Sequence, residues 1–278
     1  MADSSSAGAQ LARNGLAPKK LFGQNFLVNA GICGKIAALA APEAGFGVLE
    51  IGPGMGALTR ELAARAEKVV AVEIDADLVP VLRENLAGFG NVEIVNADIL
   101  KTDVAALIRE RLAGLRVCIA GNLPYYITSP VVMMLLEQRL PAEHIVAMVQ
   151  KEAAIRFCAP EGSRESGAVT LAIRYYSEPK LMFDVSPGSF YPPPKVTSSV
   201  LRLEVRPSTV APADEKRMFA VIKAAFSQRR KTAVNAVASG LRLEKASVLR
   251  AFMQAGVPET IRPERMTLAD FAALSGLL

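Results

Sequence analysis

The strongest constraint on the fold is an alternation. Five short apolar runs occur at Val48–Ile51, Lys68–Ile74, Val92–Val95, Val117–Ala120 and His144–Val149, and the segments between them have helical spacing at Ala57–Ala66, Asp77–Leu86, Val104–Leu112 and Val131–Gln138. Strands separated by helices predict a parallel sheet, because each crossover must return the chain to the same end of the sheet. Pro80 is compatible with the second helix because it lies in the first turn. Two further runs, Leu181–Val185 and Ser199–Val205, flank the turn-rich stretch SPGSFYPPPK and predict two more strands. Pro207–Pro212 reads as a linker, and beyond it the pattern is helical at Lys216–Phe226, Leu243–Gln254 and Leu268–Leu278. The expected organisation is a Ser/Ala/Gly-rich disordered tail over residues 1–18, an α/β domain over 19–206 and a small all-helical domain over 207–278.

Several function classes drop out. No run of 18 apolar residues is present, so a membrane span is not expected, and the N-terminus lacks a charged-then-apolar signal pattern. Cys33, Cys118 and Cys158 are scattered and never in C-x-x-C spacing, which fits a reducing, cytoplasmic compartment and no structural zinc. His144 is the single histidine and reads as a strand-edge residue, so Ser-His triads and histidine-rich metal sites are set aside and no metal is expected. Nothing in the sequence calls for an obligate dimer, and a monomer is expected. The net charge of +5 is unevenly placed: from Arg206 onward there are twelve Lys/Arg against six Asp/Glu, so the excess lies in the helical part. That pattern is open to two readings, a solvated helical surface or a module that faces a polyanion.

The stretch EIGPGMGALT places Gly52, Gly54 and Gly56 between a strand and a helix, where backbone can approach a ligand closely. Glu73 ends the second strand, where a carboxylate can accept from both hydroxyls of a ribose, and Asp98 lies at the exit of the third. Such a fingerprint admits NAD, FAD or S-adenosylmethionine. E-x-G-x-G-x-G, with Glu50 inside the strand, is nearest the methyltransferase form. It puts the methionine carboxylate near the glycine turn, the ribose on Glu73 and the adenine amine on Asp98.

At the exit of the fourth strand stands GNLPYYITSP, residues 121–130. An exocyclic adenine amine is a weak nucleophile because its lone pair is delocalised into the ring. Acceptors that hold its N–H groups free that pair. Asn122 offers a side-chain carbonyl, Leu123 a backbone carbonyl, and Pro124 fixes their direction. Tyr125 supplies a flat face for an unstacked base, whereas Tyr126 is expected to pack in the core.

With these residues in view, the chain resembles the KsgA family of ribosomal RNA adenine dimethyltransferases from about Lys19 to its C-terminus. KKLFGQNFL (19–27) resembles the family's N-terminal cofactor motif, which implies that Asn25 and Leu27 touch S-adenosylmethionine. The resemblance carries cofactor binding to Gly52, Gly54, Glu73, Asp98 and Asn122. SFYPPPKVTSSV (189–200) implies that Phe190 is the second wall of an aromatic slot facing Tyr125. FSQRRKT (226–232) implies an rRNA contact through Arg229, Arg230 and Lys231, expected to fan over a helix surface. Asn29 and Thr197 depart from the family's commoner Asp residues without removing a named chemical group. The implied fold is a Rossmann-like class I methyltransferase sheet with a C-terminal all-helical domain. The implied activity is dimethylation of the N6 amines of two adjacent adenines in a hairpin near the 3′ end of 16S rRNA, within an immature small subunit. The alternatives are a macrolide-resistance-type 23S rRNA methyltransferase, in which Asn-Ile-Pro-Tyr is usual, a non-catalytic RNA- or DNA-binding assembly factor, and, more distantly, a dehydrogenase.

Overall fold

The computed structural model describes residues 4–207, 212–228 and 230–278. The chain divides into two compact units, Met1–Ala154 with Pro179–Val205, and Ile155–Glu178 with Arg206–Leu278. The strands are β1 (Phe26–Leu27), β2 (Phe46–Ile51), β3 (Lys68–Glu73), β4 (Val92–Asn96), β5 (Arg116–Asn122), β6 (His144–Gln150), β7 (Ser177–Val185), β8 (Phe190–Tyr191) and β9 (Ser198–Val205). Seven of them form one sheet in the order β4-β3-β2-β5-β6-β9-β7. β4, β3, β2, β5 and β6 are mutually parallel, and β9 runs antiparallel to β6. β2 is buried along its whole length and β6 along all but its last residue, which is why they read as continuous apolar runs. The strand order reverses between β2 and β5, the place where open α/β sheets leave a crevice at their carboxyl edge.

In the first unit the helices are α1 (Ser4–Arg13), α2 (Ala30–Ala40), α3 (Ala57–Ala63), α4 (Val79–Asn85), α5 (Val104–Arg111) and α6 (Thr128–Glu137). α2 escapes a periodicity reading because it is apolar nearly all round. Asn29 caps it, accepting from the Ile32 N–H at 3.2 Å, so the replacement of the family's usual Asp keeps the cap. α1 corrects the expected disordered tail. Ala7 and Leu11, one turn apart, are buried, and Leu11 clusters with Phe26 and Leu78. The Ser- and Gly-rich composition masks that short apolar stripe.

His144 also differs from expectation. It opens β6 but is buried, 1% exposed, with Nε2 3.1 Å from both the Leu39 and Ala40 carbonyls at the end of α2, and its ring stands edge-on to Phe46. Burial, with help from the Arg202 charge, lowers its pKa, so it is a neutral core residue. It opposes Cys118 near the start of the strands, away from their carboxyl ends.

The second unit is helical, with α7 (Lys151–Cys158, entered from the first unit), α8 (Ala168–Tyr176), α9 (Pro212–Ala225), α10 (Ala233–Leu241), α11 (Lys245–Gln254) and α12 (Leu268–Ser275). Its core gathers Leu171, Val221, Ile222, Val237, Phe252 and Phe271. Residues 155–178 therefore belong here and not to the expected 19–206 block. Sequence reading places α9, α11 and α12, and it misses α7, α8 and α10. Among the described residues, no helix is long and apolar enough to cross a membrane.

Candidate active site

β2 and β5 run side by side, with Ile51 opposite Gly121. A Cβ on Gly121 would lie 2.5 Å from the Ile51 carbonyl oxygen, so glycine is required for the two strand ends to approach this closely. Asn122 follows at once, and Gly52 leaves β2 in the left-handed region at φ 69°. A cleft opens here, lined among others by Asn25, Phe26, Leu27, Glu50, Gly52, Gly54, Glu73 and Asn122–Tyr125.

The glycine turn uses its own donors internally. Gly52 N–H donates to the Val72 carbonyl, Gly54 N–H to Glu73 Oε2 at 3.0 Å and Gly56 N–H to the Pro53 carbonyl. What Gly52 offers a ligand is space. A Cβ there would meet only the Asn122 carbonyl oxygen, at 3.9 Å, and would otherwise fill the cleft. Glu73 is 4% exposed; its Oε1 accepts from Asp75 N–H at 2.9 Å. Burial raises its pKa against these two backbone donors. Each oxygen keeps a lone pair for a further donor.

Glu50 lies in β2, 1% exposed and lining the same cleft; its Oε2 has no hydrogen-bond partner among the described residues. Burial, with the Glu73 charge adding to it, pushes its carboxyl up to about 8. The folded chain therefore holds a proton that the unfolded chain releases near the ordinary value, so this contribution to stability falls as pH rises through that interval. In the ligand-free protein, Glu50→Gln is expected to flatten the loss of stability between pH 5 and 8. The shift sets the scale at on the order of 4 kcal/mol. Parallel pH profiles of urea midpoints for the two proteins would contradict this.

Asn122 Nδ2 donates to the Asn25 carbonyl at 2.9 Å. A carbonyl partner can take only the N–H end of the amide, so Oδ1 is left as an acceptor on a residue that lines the cleft. Leu123 N–H is taken by the Met148 carbonyl of β6 at 3.1 Å, and the Pro124 carbonyl by Ile127 N–H and the Thr128 hydroxyl. The Leu123 carbonyl accepts no hydrogen bond among the described residues. Two acceptors thus stand next to each other at the end of β5. Tyr125 is half-buried and its hydroxyl is 2.7 Å from Ser198 Oγ, which fixes the ring at its tip. Burial raises the hydroxyl's pKa, so it is neutral.

Other expected residues fall elsewhere. Phe190 does not line the cleft. It is 1% exposed in the main core and sits opposite Leu27 in the β1–β8 pair, so the expected second aromatic wall is absent from its predicted place. Besides Tyr125, the cleft's aromatics are Phe22 and Phe26, both inside KKLFGQNFL, a motif read only for Asn25 and Leu27. Asp98 is at the carboxyl edge on β4's exit, outside the cleft lining. It caps its own turn, accepting from Leu100 N–H at 3.0 Å, with Lys101 Nζ at 3.5 Å. Tyr126 is not in the core; it is 59% exposed. Arg230 and Lys231 are exposed in the turn between α9 and α10, not on a helix, and Arg229 lies outside the described residues. No group of His, Cys, Asp and Glu among the described residues could hold a metal.

Known proteins share this arrangement over nearly the whole chain. Residues 15–271 match the family described as ribosomal RNA adenine dimethylase. The chain is 43% identical over 274 residues to ribosomal RNA small subunit methyltransferase A of Geobacillus thermodenitrificans, covering 96% of this chain and 93% of the relative. It is 42% identical over 258 residues to the protein of that name from Alkaliphilus metalliredigens, covering 92% and 90%. Among solved structures it resembles the 23S rRNA methyltransferase ErmE, with a TM-score of 0.70 and 30% identity over 91% of this chain and 99% of that one. Its sheet, its cleft and the match across nearly its full length place the chain in the ribosomal RNA adenine dimethylase family.

Proposed function

We propose that the cleft binds S-adenosylmethionine and that the protein dimethylates the N6 amines of two adjacent adenines near the 3′ end of small-subunit rRNA. The observation that carries this reading is the pair of open acceptors, Asn122 Oδ1 and the Leu123 carbonyl, at the strand reversal of a chain of this family.

The residues present fit the cofactor. Gly52 leaves the space a side chain would fill, Glu73 has lone pairs for two ribose hydroxyls, and Asn25 and Leu27 wall the cleft opposite. Gly54 brings Phe26 against the turn: a Cβ on Gly54 would lie 2.9 Å from that ring. Asp98, one strand beyond Glu73, is assigned the adenine amine. When bound, S-adenosylmethionine supplies an electrophilic methyl group on a sulfonium.

The rest is positioning by this chain. Asn122 Oδ1 and the Leu123 carbonyl each accept one N–H of the target amine. That rotates its lone pair out of conjugation and aims it along the cleft. Tyr125, held at its hydroxyl by Ser198, supports the flipped base. No side chain is required as a strong base, because an alkylated amine is acidic enough to lose its proton to water.

Arg230 and Lys231 are assigned to phosphate contacts, which position RNA without reading its bases. Arg230→Ala/Lys231→Ala is expected to lower rRNA affinity and to flatten its log–log salt dependence by roughly 1.5, with cofactor affinity unchanged. Equal affinities for the variant and the parent protein across a salt series would remove that assignment. The enzyme is read as a cytoplasmic monomer acting on an immature small subunit.

The function itself is tested by methyl transfer from labelled S-adenosylmethionine to unmodified small subunits and, separately, to large-subunit rRNA. Label recovered as dimethyladenosine at two neighbouring small-subunit positions is expected. Label confined to large-subunit rRNA would favour a 23S rRNA methyltransferase activity, and no transfer to either would support a binding factor.

A further inference from the structure

The segment Lys19–Leu27 is held on both sides of the cleft, and Asp75, Asp77 and Tyr126 among its anchors do not line it. On the β3 side, Asp75 is 3% exposed. Its Oδ1 takes Lys19 Nζ at 2.6 Å and its Oδ2 takes Gln24 Nε2 at 2.8 Å. Lys19 Nζ also reaches Asp77 Oδ2 at 2.6 Å, and Lys19 N–H donates to Gln24 Oε1 at 2.7 Å. Burial works against the Asp75 charge, yet Lys19, Gln24 and the Asp77 N–H together hold its carboxyl below the usual range. On the β5 side, the Asn25 carbonyl accepts from Asn122, and Gly23 passes beside the Tyr126 ring. Gly23 is left-handed at φ 58°, and a Cβ there would sit 3.3 Å from the Tyr126 ring. Between these anchors, Phe22, Gly23, Gln24, Asn25, Phe26 and Leu27 form one wall of the cleft.

We infer that Asp75 and Tyr126 are positioning residues that hold residues 19–27 as a strap across the cofactor cleft, so that cofactor entry and product departure require the strap to lift. A tyrosine 59% exposed next to Tyr125 then has a role that neither core packing nor base stacking supplies: its ring is the seat for a glycine that must pass close by. The ionic end and the aromatic end are independent anchors. Loosening either raises the rate at which the strap opens; in the closed state the Asn25 carbonyl still takes Asn122 Nδ2, so the acceptors at Asn122 and Leu123 are unchanged there. This inference rests on the reading of the cleft as a cofactor site.

The test uses Lys19→Met and Tyr126→Ala in the full-length chain, with Tyr126→Phe as the conservative variant. Both disruptive variants are expected to raise the dissociation rate of S-adenosylhomocysteine, and the KM for S-adenosylmethionine, by about three- to tenfold. Turnover at saturating cofactor should stay within about twofold of the parent, and Tyr126→Phe should keep parental KM because the ring, not its hydroxyl, carries the contact. Amide hydrogen exchange over residues 20–25 should speed up in the variants and slow when S-adenosylhomocysteine is added. Parental KM and parental exchange in both disruptive variants would overturn the strap, as would a fall in turnover with KM unchanged. If the parent protein itself binds no S-adenosylhomocysteine, the reading of the cleft fails instead, a result these variants do not mimic.

Discussion

Asn122→Ala is expected to reduce turnover at saturating substrates by about 100-fold or more, the scale for deleting one preorganised hydrogen-bonding group at a reacting centre. The substitution removes Oδ1, the acceptor fixed in direction because Nδ2 is held by the Asn25 carbonyl. It also frees that carbonyl, so S-adenosylhomocysteine affinity should weaken, but by no more than about fivefold, since Glu73 and the glycine turn are untouched. The separation of these two numbers is the informative quantity. Loss confined to kcat places the amide at the reacting amine, whereas equal losses in binding and turnover would make it only an anchor for residues 19–27. Turnover within about threefold of the parent would remove Asn122 from the chemistry altogether.

Gly121→Ala should be the most damaging small substitution for folding. The added Cβ would meet the Ile51 carbonyl oxygen at 2.5 Å, a backbone atom of the neighbouring parallel strand that has no rotamer to move aside. β2 and β5 are both buried there, so relief requires the two central strands to part. The cost is about 3 kcal/mol or more, read as a drop in the urea midpoint at unchanged slope. The same displacement carries Asn122 away from Gly52, so activity should fall even below the denaturation range. A loss of stability under about 0.5 kcal/mol would mean that the sheet yields far more easily than its packing implies.

The sheet was readable because its central strands are apolar and bounded by turns, and the strand ends that build the cleft follow from that alternation. Glycines at 52 and 54, Glu73 and Asn122 were legible for the same reason: each is a polar or flexible residue at the exit of a strong strand pattern. What stayed hidden depends on partners distant in sequence. Phe190 looked like an available aromatic within a proline-rich turn, and only its pairing opposite Leu27 draws it into the core. Tyr126 is adjacent to Tyr125 and equally apolar, but its neighbour Gly23 arrives from the start of the chain. α1 was lost because two buried residues one turn apart are a weak signal in a stretch rich in serine and glycine, although Leu11 packs with Phe26 and Leu78. Arg230 and Lys231 read as helical from their neighbours, and their place is the turn that precedes α10.

The aromatic seat beneath Gly23 has a spectroscopic consequence. The chain has no tryptophan and five tyrosines, so its near-ultraviolet emission is tyrosine emission. Two of the five, Tyr125 and Tyr126, stand at the end of β5, one tethered to Ser198 and the other open to solvent beside Gly23. Intrinsic fluorescence should therefore respond to whatever happens at this edge without any attached dye, and Tyr126→Phe removes one of the two emitters while keeping the ring. The signal lost in that variant isolates the opening of residues 19–27 as an optical event that can be followed in real time.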